Sequence, residues 1–176
     1  KNRGGYGDLG GGNHFLDALL PYDEEDLYFL VHTGSRRESG LVDDLAGAPA
    51  SFDKEFDRVV AWAEVNRAGV QKTLDRVLGS TELVLDVSHN TFERLDRGVI
   101  IRKGSVQLQP GQLAVIPSHT AGDVALVSAT GRVEEILCSM SHGTGRTMSR
   151  GDAKNAAASF DFEALRRNVL FPSFLD

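Results

Sequence analysis

Apolar residues recur at three- and four-residue steps through Phe56, Val59, Val60, Ala63, Val70, Leu74, Val77 and Leu78. That spacing puts them on one face of a helix and predicts a long helix with a single buried side. Ser51 is the expected N-cap, Asp53 and Glu55 supply acid in the first turn, and Gly79 stops the helix. Asn66 and Arg67 fall mid-helix, where solvated positions are expected for both.

The rest of the chain patterns differently. Residues 1–12 hold six glycines, too many for a helix or a stable strand. "DLYFLVHTG", Asp26 to Gly34, is a short apolar run closed by a turn signal and predicts a buried strand. Ser35 to Ala50 reads as a loop. Thr81 to Asn90, "TELVLDVSHN", is rich in strand formers and again ends near a histidine. "GVIIRKGSVQL" and "GQLAVIPSH" predict two strands around a Pro110-Gly111 turn. "DVALVSATGRVEEILCSMSH" adds one or two more, with a turn at Thr130-Gly131. "RTMSRGDAKNAAASF" and "DFEALRRNVL" look helical. The expected fold class is α+β: one mixed domain over residues 1–176, strands with one long helix and C-terminal helices.

Composition narrows the function classes. Length suits about one domain, with 41% apolar and 25% charged residues as in soluble globular chains. No apolar run approaches the roughly 20 residues of a membrane span. A net charge of −6 argues against gripping nucleic acid by bulk charge. A nucleic acid would need a local basic strip, and Arg36 with Arg37, Arg102 with Lys103, and Arg146 with Arg150 and Lys154 are the candidates. Ordinary solvated charge is the competing reading of each. The single cysteine, Cys138, excludes an internal disulfide and suits a reducing, cytoplasmic compartment. Neither end carries an initiator Met, a signal pattern or a closing feature, so a fragment is expected.

The five histidines carry the candidate chemistry: His14, His32, His89, His119 and His142. Each adjoins a small or turn-forming residue, and four close a strand-like run. Strand ends are where a rigid scaffold hands side chains to an open cleft. Neutral imidazole ligates Mn, Zn, Fe or Ni, so converging histidines would form a metal site. A buried, hydrogen-bonded ring is the alternative for any one of them. There is no His-Glu-x-x-His, Cys-x-x-Cys, calcium loop, Walker lysine or Gly-x-Ser-x-Gly elbow. "SHGTGR", Ser141 to Arg146, offers glycine amides to an anion, and the helix expected after it would add its N-terminus. A plain strand-to-helix turn with solvated arginines is the competing reading.

"LGGGNHF", "HTGSR", "HN", "RKGS", "PG", "VIP" and "SHGTGRTMSR", in that order, closely resemble the RtcB-type RNA-splicing ligases. "A-x-x-N-R" at Ala63 to Arg67 fits as well. The resemblance runs over nearly all the chain and implies an RtcB-like fold. It implies a GTP- and manganese-dependent enzyme joining RNA 3′-phosphate or 2′,3′-cyclic phosphate ends to 5′-hydroxyl ends, in tRNA splicing or repair of cleaved RNA. His142 would become guanylylated, and His14, His32 and His89 would be metal ligands. Asn13 and Asn90 would contact nucleotide phosphates or ribose, and Phe15 and Asp17 the guanosine. Gly143 and Gly145 would let the triphosphate approach the backbone. Arg36 and Arg146 would meet phosphates, and an archease-type activator is a possible partner.

The pattern also departs from that family. Full-length members draw an aspartate and a cysteine from an upstream block, and a lysine from a downstream one, outside these 176 residues. Asp17 stands where glutamate is usual, and Ser118-His119-Thr120-Ala121 replaces a Gly-Ser-Met-Gly block. Two further readings therefore accompany the ligase. One is a metal-dependent phosphoesterase that uses the same three histidines without His142. The other is a non-catalytic paralogue that binds nucleotide or RNA.

Overall fold

The structure is a computed structural model that describes residues 5–10, 13–34, 49–119, 122–157, 161 and 163. It divides into two compact units, Lys1–Gln107 and Leu108–Asp176. Helices and strands are mixed, so the α+β class holds. No helix among the described residues is long and apolar enough to cross a membrane.

In the first unit, β1 (Phe15–Leu19) pairs antiparallel with β2 (Tyr28–His32), with Phe15 opposite His32 and Asp17 opposite Leu30. Half-buried and exposed residues alternate along β1, the two-residue period of a strand. The long helix, α1, runs Pro49–Leu78. It starts two residues before the expected Ser51 cap, with proline in the first turn, where a missing N–H costs nothing. Asp53 and Glu55 consequently lie beyond its first turn. At the other end Gly79 takes φ +102 and donates its N–H to the Asp75 carbonyl. The Asp75 carboxylate also accepts from the Thr81 backbone N–H at 2.9 Å and hydroxyl at 2.6 Å.

Thr81 to Ser88 does not form the expected strand; the strand starts at Asn90. β3 (Asn90–Leu95) forms a hairpin with β4 (Gly98–Lys103), and β5 (Ser105–Gln107) follows after Gly104, whose φ of +68 breaks the predicted run. Phe52 and Phe56 of α1 stack at 5.7 Å and pack on Phe92 of β3 at 5.3 and 6.0 Å. Val59, Ala63 and Val70 form the buried stripe of the helix. Arg94 and Asp53 make a two-point ion pair across the same contact.

Two of the expected solvated positions are not solvated. Asn66 is 3% exposed, and Arg67 is largely enclosed against Asp86. Arg102 leaves the list of basic strips for the same reason: it is buried and pairs with Glu93 at 2.9 Å, a diagonal cross-strand contact.

In the second unit, β6 (Leu113–Pro117) and β7 (Val124–Ser128) form an antiparallel hairpin. Where further strand was expected, Gly131–Ile136 is a 3-10 helix. Leu137 and Cys138 turn it off in left-handed conformations, and β8 (Ser139–Ser141) follows. α2 is short, Arg150–Ala157. Ser149 caps it, accepting the Asp152 N–H at 3.1 Å and donating to the Asp152 carboxylate at 2.6 Å. Leu108, Ala114 and Val133 are the buried apolar residues among those described here. The helix expected over "DFEALRRNVL" lies largely outside the described residues.

Candidate functional site

All five histidines flank strand ends. His14 immediately precedes β1, His32 is the last residue of β2, and His89 immediately precedes β3. His89 thus opens its strand instead of closing one. His119 follows β6 and His142 follows β8.

Three of these rings meet within the first unit. The His14 and His32 ring centroids are 5.7 Å apart, and those of His32 and His89 are 5.1 Å apart. The His32 and His89 Nε2 atoms face each other at 2.9 Å. His14 Nδ1 lies 2.8 Å from the Leu9 carbonyl oxygen. A carbonyl can only accept, so Nδ1 carries the proton and a neutral His14 presents its lone pair at Nε2. A metal-binding histidine is fixed in this way, through a hydrogen bond at its other nitrogen.

The facing nitrogens of His32 and His89 fit a shared divalent cation. Imidazole nitrogens suit Mn, Fe, Ni, Cu and Zn. At a ligand distance of about 2.1 Å, two nitrogens held at a right angle lie about 3 Å apart. The separation of His32 and His89 matches that spacing. Without a cation, the same approach is a hydrogen bond in which one ring donates.

The neighbours of the three rings sort by face. Phe15 and Asp17 share the half-buried face of β1, and the Phe15 ring meets His32 edge-on at 5.1 Å. Burial pushes the Asp17 carboxyl above its ordinary value. Asn13 and Asn90 are exposed. The Asn90 side-chain oxygen accepts the Gly104 N–H at 3.1 Å, which leaves its amide hydrogens as the donors for a ligand. Arg36 lies outside the described residues.

Within the second unit, His142 is half-buried at the turn after β8. That turn is braced on the end of β6. The Thr144 N–H donates to the Pro117 carbonyl at 3.3 Å, and a Cβ on Gly143 would stand 3.3 Å from the same oxygen. The Ser141 hydroxyl donates to the Gly143 carbonyl at 2.6 Å. Gly145 takes φ +80, a left-handed conformation that favours glycine, with open space where a Cβ would be. Arg146 is exposed and precedes α2 by several residues. The expected continuity of "HGTGR" with a helix N-terminus therefore fails, since that terminus is already capped by Ser149 and Asp152. The side chains of Arg150 and Lys154 lie outside what the structure describes.

The family model described as tRNA-splicing ligase RtcB matches residues 54–169, more than half of the chain. The chain belongs to the RtcB family. The matched span holds His89 and His142, while His14 and His32 precede it. RNA-splicing ligase RtcB2 of Escherichia coli strain ATCC 25922 is 30% identical over 96% of this chain and 52% of its own length. RNA-splicing ligase RtcB of Escherichia coli strain K12 is 27% identical over 84% of this chain and 46% of its own. The chain thus spans about half the length of the curated RtcB relatives it matches.

Asn66 and Arg67 are the site-related residues that reasoning from sequence misplaced. Asn66 contacts the segments before His14 and after His32, and Arg67 contacts the segment before His89. The available signal was two adjacent polar residues inside a helix whose flanking turns are apolar.

Proposed function

We propose that this chain carries the catalytic core of a GTP- and manganese-dependent RNA ligase, joining 3′-phosphate or 2′,3′-cyclic phosphate ends to 5′-hydroxyl ends. The observation carrying this reading is the meeting of His14, His32 and His89, from three distant segments, in a member of the RtcB family.

His14, His32 and His89 would hold the cation through ring nitrogens, His14 by Nε2. When bound, the cation supplies Lewis-acid neutralisation of triphosphate charge. Phe15 and Asp17 receive the guanosine, consistent with their shared face on β1. Asn13 and Asn90 donate to phosphate or ribose oxygens. A neutral ring nitrogen of His142 attacks the innermost phosphorus of GTP, forming a nitrogen–phosphorus bond as the bond to pyrophosphate breaks. Gly143 and Gly145 give phosphate oxygens access to the backbone. Arg146 and Arg36 neutralise phosphates. A 2′,3′-cyclic end is first opened by water, which breaks the bond from phosphorus to the 2′-oxygen and leaves a 3′-phosphate; the guanylyl group then passes to the RNA 3′-phosphate and frees the imidazole. A 5′-hydroxyl attacks the activated phosphate, GMP leaves, and the hydroxyl proton is released. The compartment is cytoplasmic, the RNA is tRNA or another RNA with cleaved ends, and an archease-type protein is the candidate activator.

The test is incubation with labelled GTP and manganese. The expected result is a protein adduct, labile in acid and stable in base, that His142→Ala abolishes. Phosphate-ester hydrolysis that survives His142→Ala would replace this reading with the phosphoesterase. Binding of Mn2+ or GMP without an adduct would replace it with the non-catalytic one.

A further inference from the structure

Asn66 lies in the middle of a 30-residue helix, yet every polar atom of its side chain is engaged outside that helix. Its Oδ1 accepts the Gly7 and Asp8 N–H groups at 2.8 and 3.1 Å. Its two Nδ2 hydrogens are shared among the Asp8 carbonyl at 2.9 Å, the Gly34 carbonyl at 3.2 Å and the Thr33 hydroxyl at 3.3 Å. Two chain segments are thereby tied to one turn of α1. One leads into His14, and the other follows directly on His32.

The connection to the rings is short. Thr33, itself buried, donates its hydroxyl to the Leu9 carbonyl at 2.8 Å. That same carbonyl accepts the His14 Nδ1 proton. A carbonyl oxygen has two lone pairs, and here both are taken. The sequence of bonds is Asn66 Nδ2–H to Thr33 Oγ1, Thr33 O–H to Leu9 O, and His14 Nδ1–H to Leu9 O. Arg67, the next residue on the helix, reaches Asp86 at 2.5 Å and the Ser88 hydroxyl at 3.5 Å, just before His89.

We propose that Asn66 is a positioning residue for the histidine cluster, acting through Thr33 and the Leu9 carbonyl to hold His14 in its Nδ1–H tautomer with Nε2 open. The inference rests on the metal reading of the cluster, but its own readout does not require a metal. If the Leu9 carbonyl is not held, His14 is free to turn or to carry its proton on Nε2, and the ligand nitrogen is lost. Outer hydrogen bonds of this kind are worth about 10- to 100-fold in metal affinity.

The experiment compares Thr33→Val, Thr33→Ser and Asn66→Asp with the unaltered chain. Thr33→Val keeps shape and removes the hydroxyl, Thr33→Ser keeps the hydroxyl, and Asn66→Asp keeps the acceptor and removes the donor. Folding is checked by circular dichroism. The His14 ring is read in metal-free protein by two-bond proton–nitrogen correlation, which separates protonated from bare ring nitrogens. Co2+ alone is titrated and followed by its ligand-field absorption.

In the unaltered chain and Thr33→Ser, His14 should hold its proton at Nδ1 and Co2+ should bind alike. In Thr33→Val and Asn66→Asp, the His14 tautomers should mix and Co2+ should bind about 10- to 100-fold more weakly. Arg94→Ala, which breaks an exposed ion pair between β3 and the start of α1, should change neither readout. A folded Thr33→Val with His14 still locked at Nδ1–H overturns the proposal, as does unchanged Co2+ affinity. If Asn66→Asp fails to fold, Thr33→Val decides. If the unaltered chain takes up no Co2+, the metal reading falls and the His14 spectra alone decide the positioning role.

Discussion

The Nε2 atoms of His32 and His89 approach to 2.9 Å across 57 residues of chain. Neither ring is placed there by local sequence. His32 is delivered by the last position of β2, and His89 by the turn into β3, with its carbonyl accepting the Ser105 N–H at 3.0 Å. Each backbone is thus held by its own pairing, His32 by β1 and His89 by the bond to β5, which limits how far either ring can drift.

His89→Ala and His32→Ala should therefore each weaken Mn2+ binding by at least about 100-fold, beyond the range of outer hydrogen-bond changes. The global fold should be kept, since each ring flanks a strand end. Titration of Mn2+ by its electron paramagnetic resonance signal measures this. Equal affinity in His89→Ala and the unaltered chain would remove the ring pair from the metal site.

Much of this site was readable in the sequence because its signals are local. Each histidine adjoins a turn residue, and strand ends concentrate such residues. The family blocks preserve that order, which is how His14, His32 and His89 could be grouped before any coordinates. Asn66, Arg67 and Arg102 were unreadable for the opposite reason. Their partners are backbone groups or carboxylates from other segments, and a polar residue in a helix or hairpin looks the same whether water or a distant carbonyl satisfies it. β1 was missed because "FLDAL" is too short and too mixed to stand out beside a glycine-rich run. The 3-10 helix at Gly131–Ile136 was read as strand because Val133 and Ile136 alone do not define a period.

Arg67 and Asp86 should be energetically coupled. Their contact joins α1 to the irregular segment that delivers His89, and both side chains are largely shielded from water. A double-mutant cycle with Arg67→Ala, Asp86→Ala and the pair, read by urea unfolding, should give a coupling of about 1 kcal/mol. Additive single effects would show that the ion pair does not brace this segment.

Asp17 should make stability fall as pH rises. Burial raises its carboxyl above the ordinary value, so the folded state binds more protons than the unfolded state between those two values. Stability then decreases through that window, and the penalty is fully present above the raised value. Asp17→Asn, which carries no charge, should raise Tm at neutral pH and leave it nearly unchanged below the ordinary carboxylate range. If Asp17 also receives the guanine, the same variant should lose about 10-fold or more in GTP affinity, the worth of a hydrogen bond to a charged group. A gain in Tm together with a loss in GTP binding marks a residue kept for its ligand. A variant less stable at neutral pH contradicts the burial argument.

Gly69 tests whether the backbone approach behind the site matters as much as its hydrogen bonds. It lies on α1 one turn beyond Asn66, and a Cβ there would stand 2.7 Å from the Gly7 nitrogen and 2.8 Å from the Gly7 Cα. Those atoms are backbone and cannot swing aside, and Gly7 is itself held at φ +74. Gly69→Ala must push the segment around Gly7 away from the helix, although alanine favours the helix itself by about 1 kcal/mol. Overpacking of this kind costs about 1–3 kcal/mol, so the net effect should be destabilising. The displaced segment carries the Asp8 groups that bind Asn66 and the Leu9 carbonyl that orients His14, so Mn2+ affinity should fall in the protein that remains folded. Thermal unfolding and Mn2+ titration of Gly69→Ala measure the two effects separately. Gained stability with unchanged Mn2+ affinity would show that helix and glycine-rich segment are not in contact.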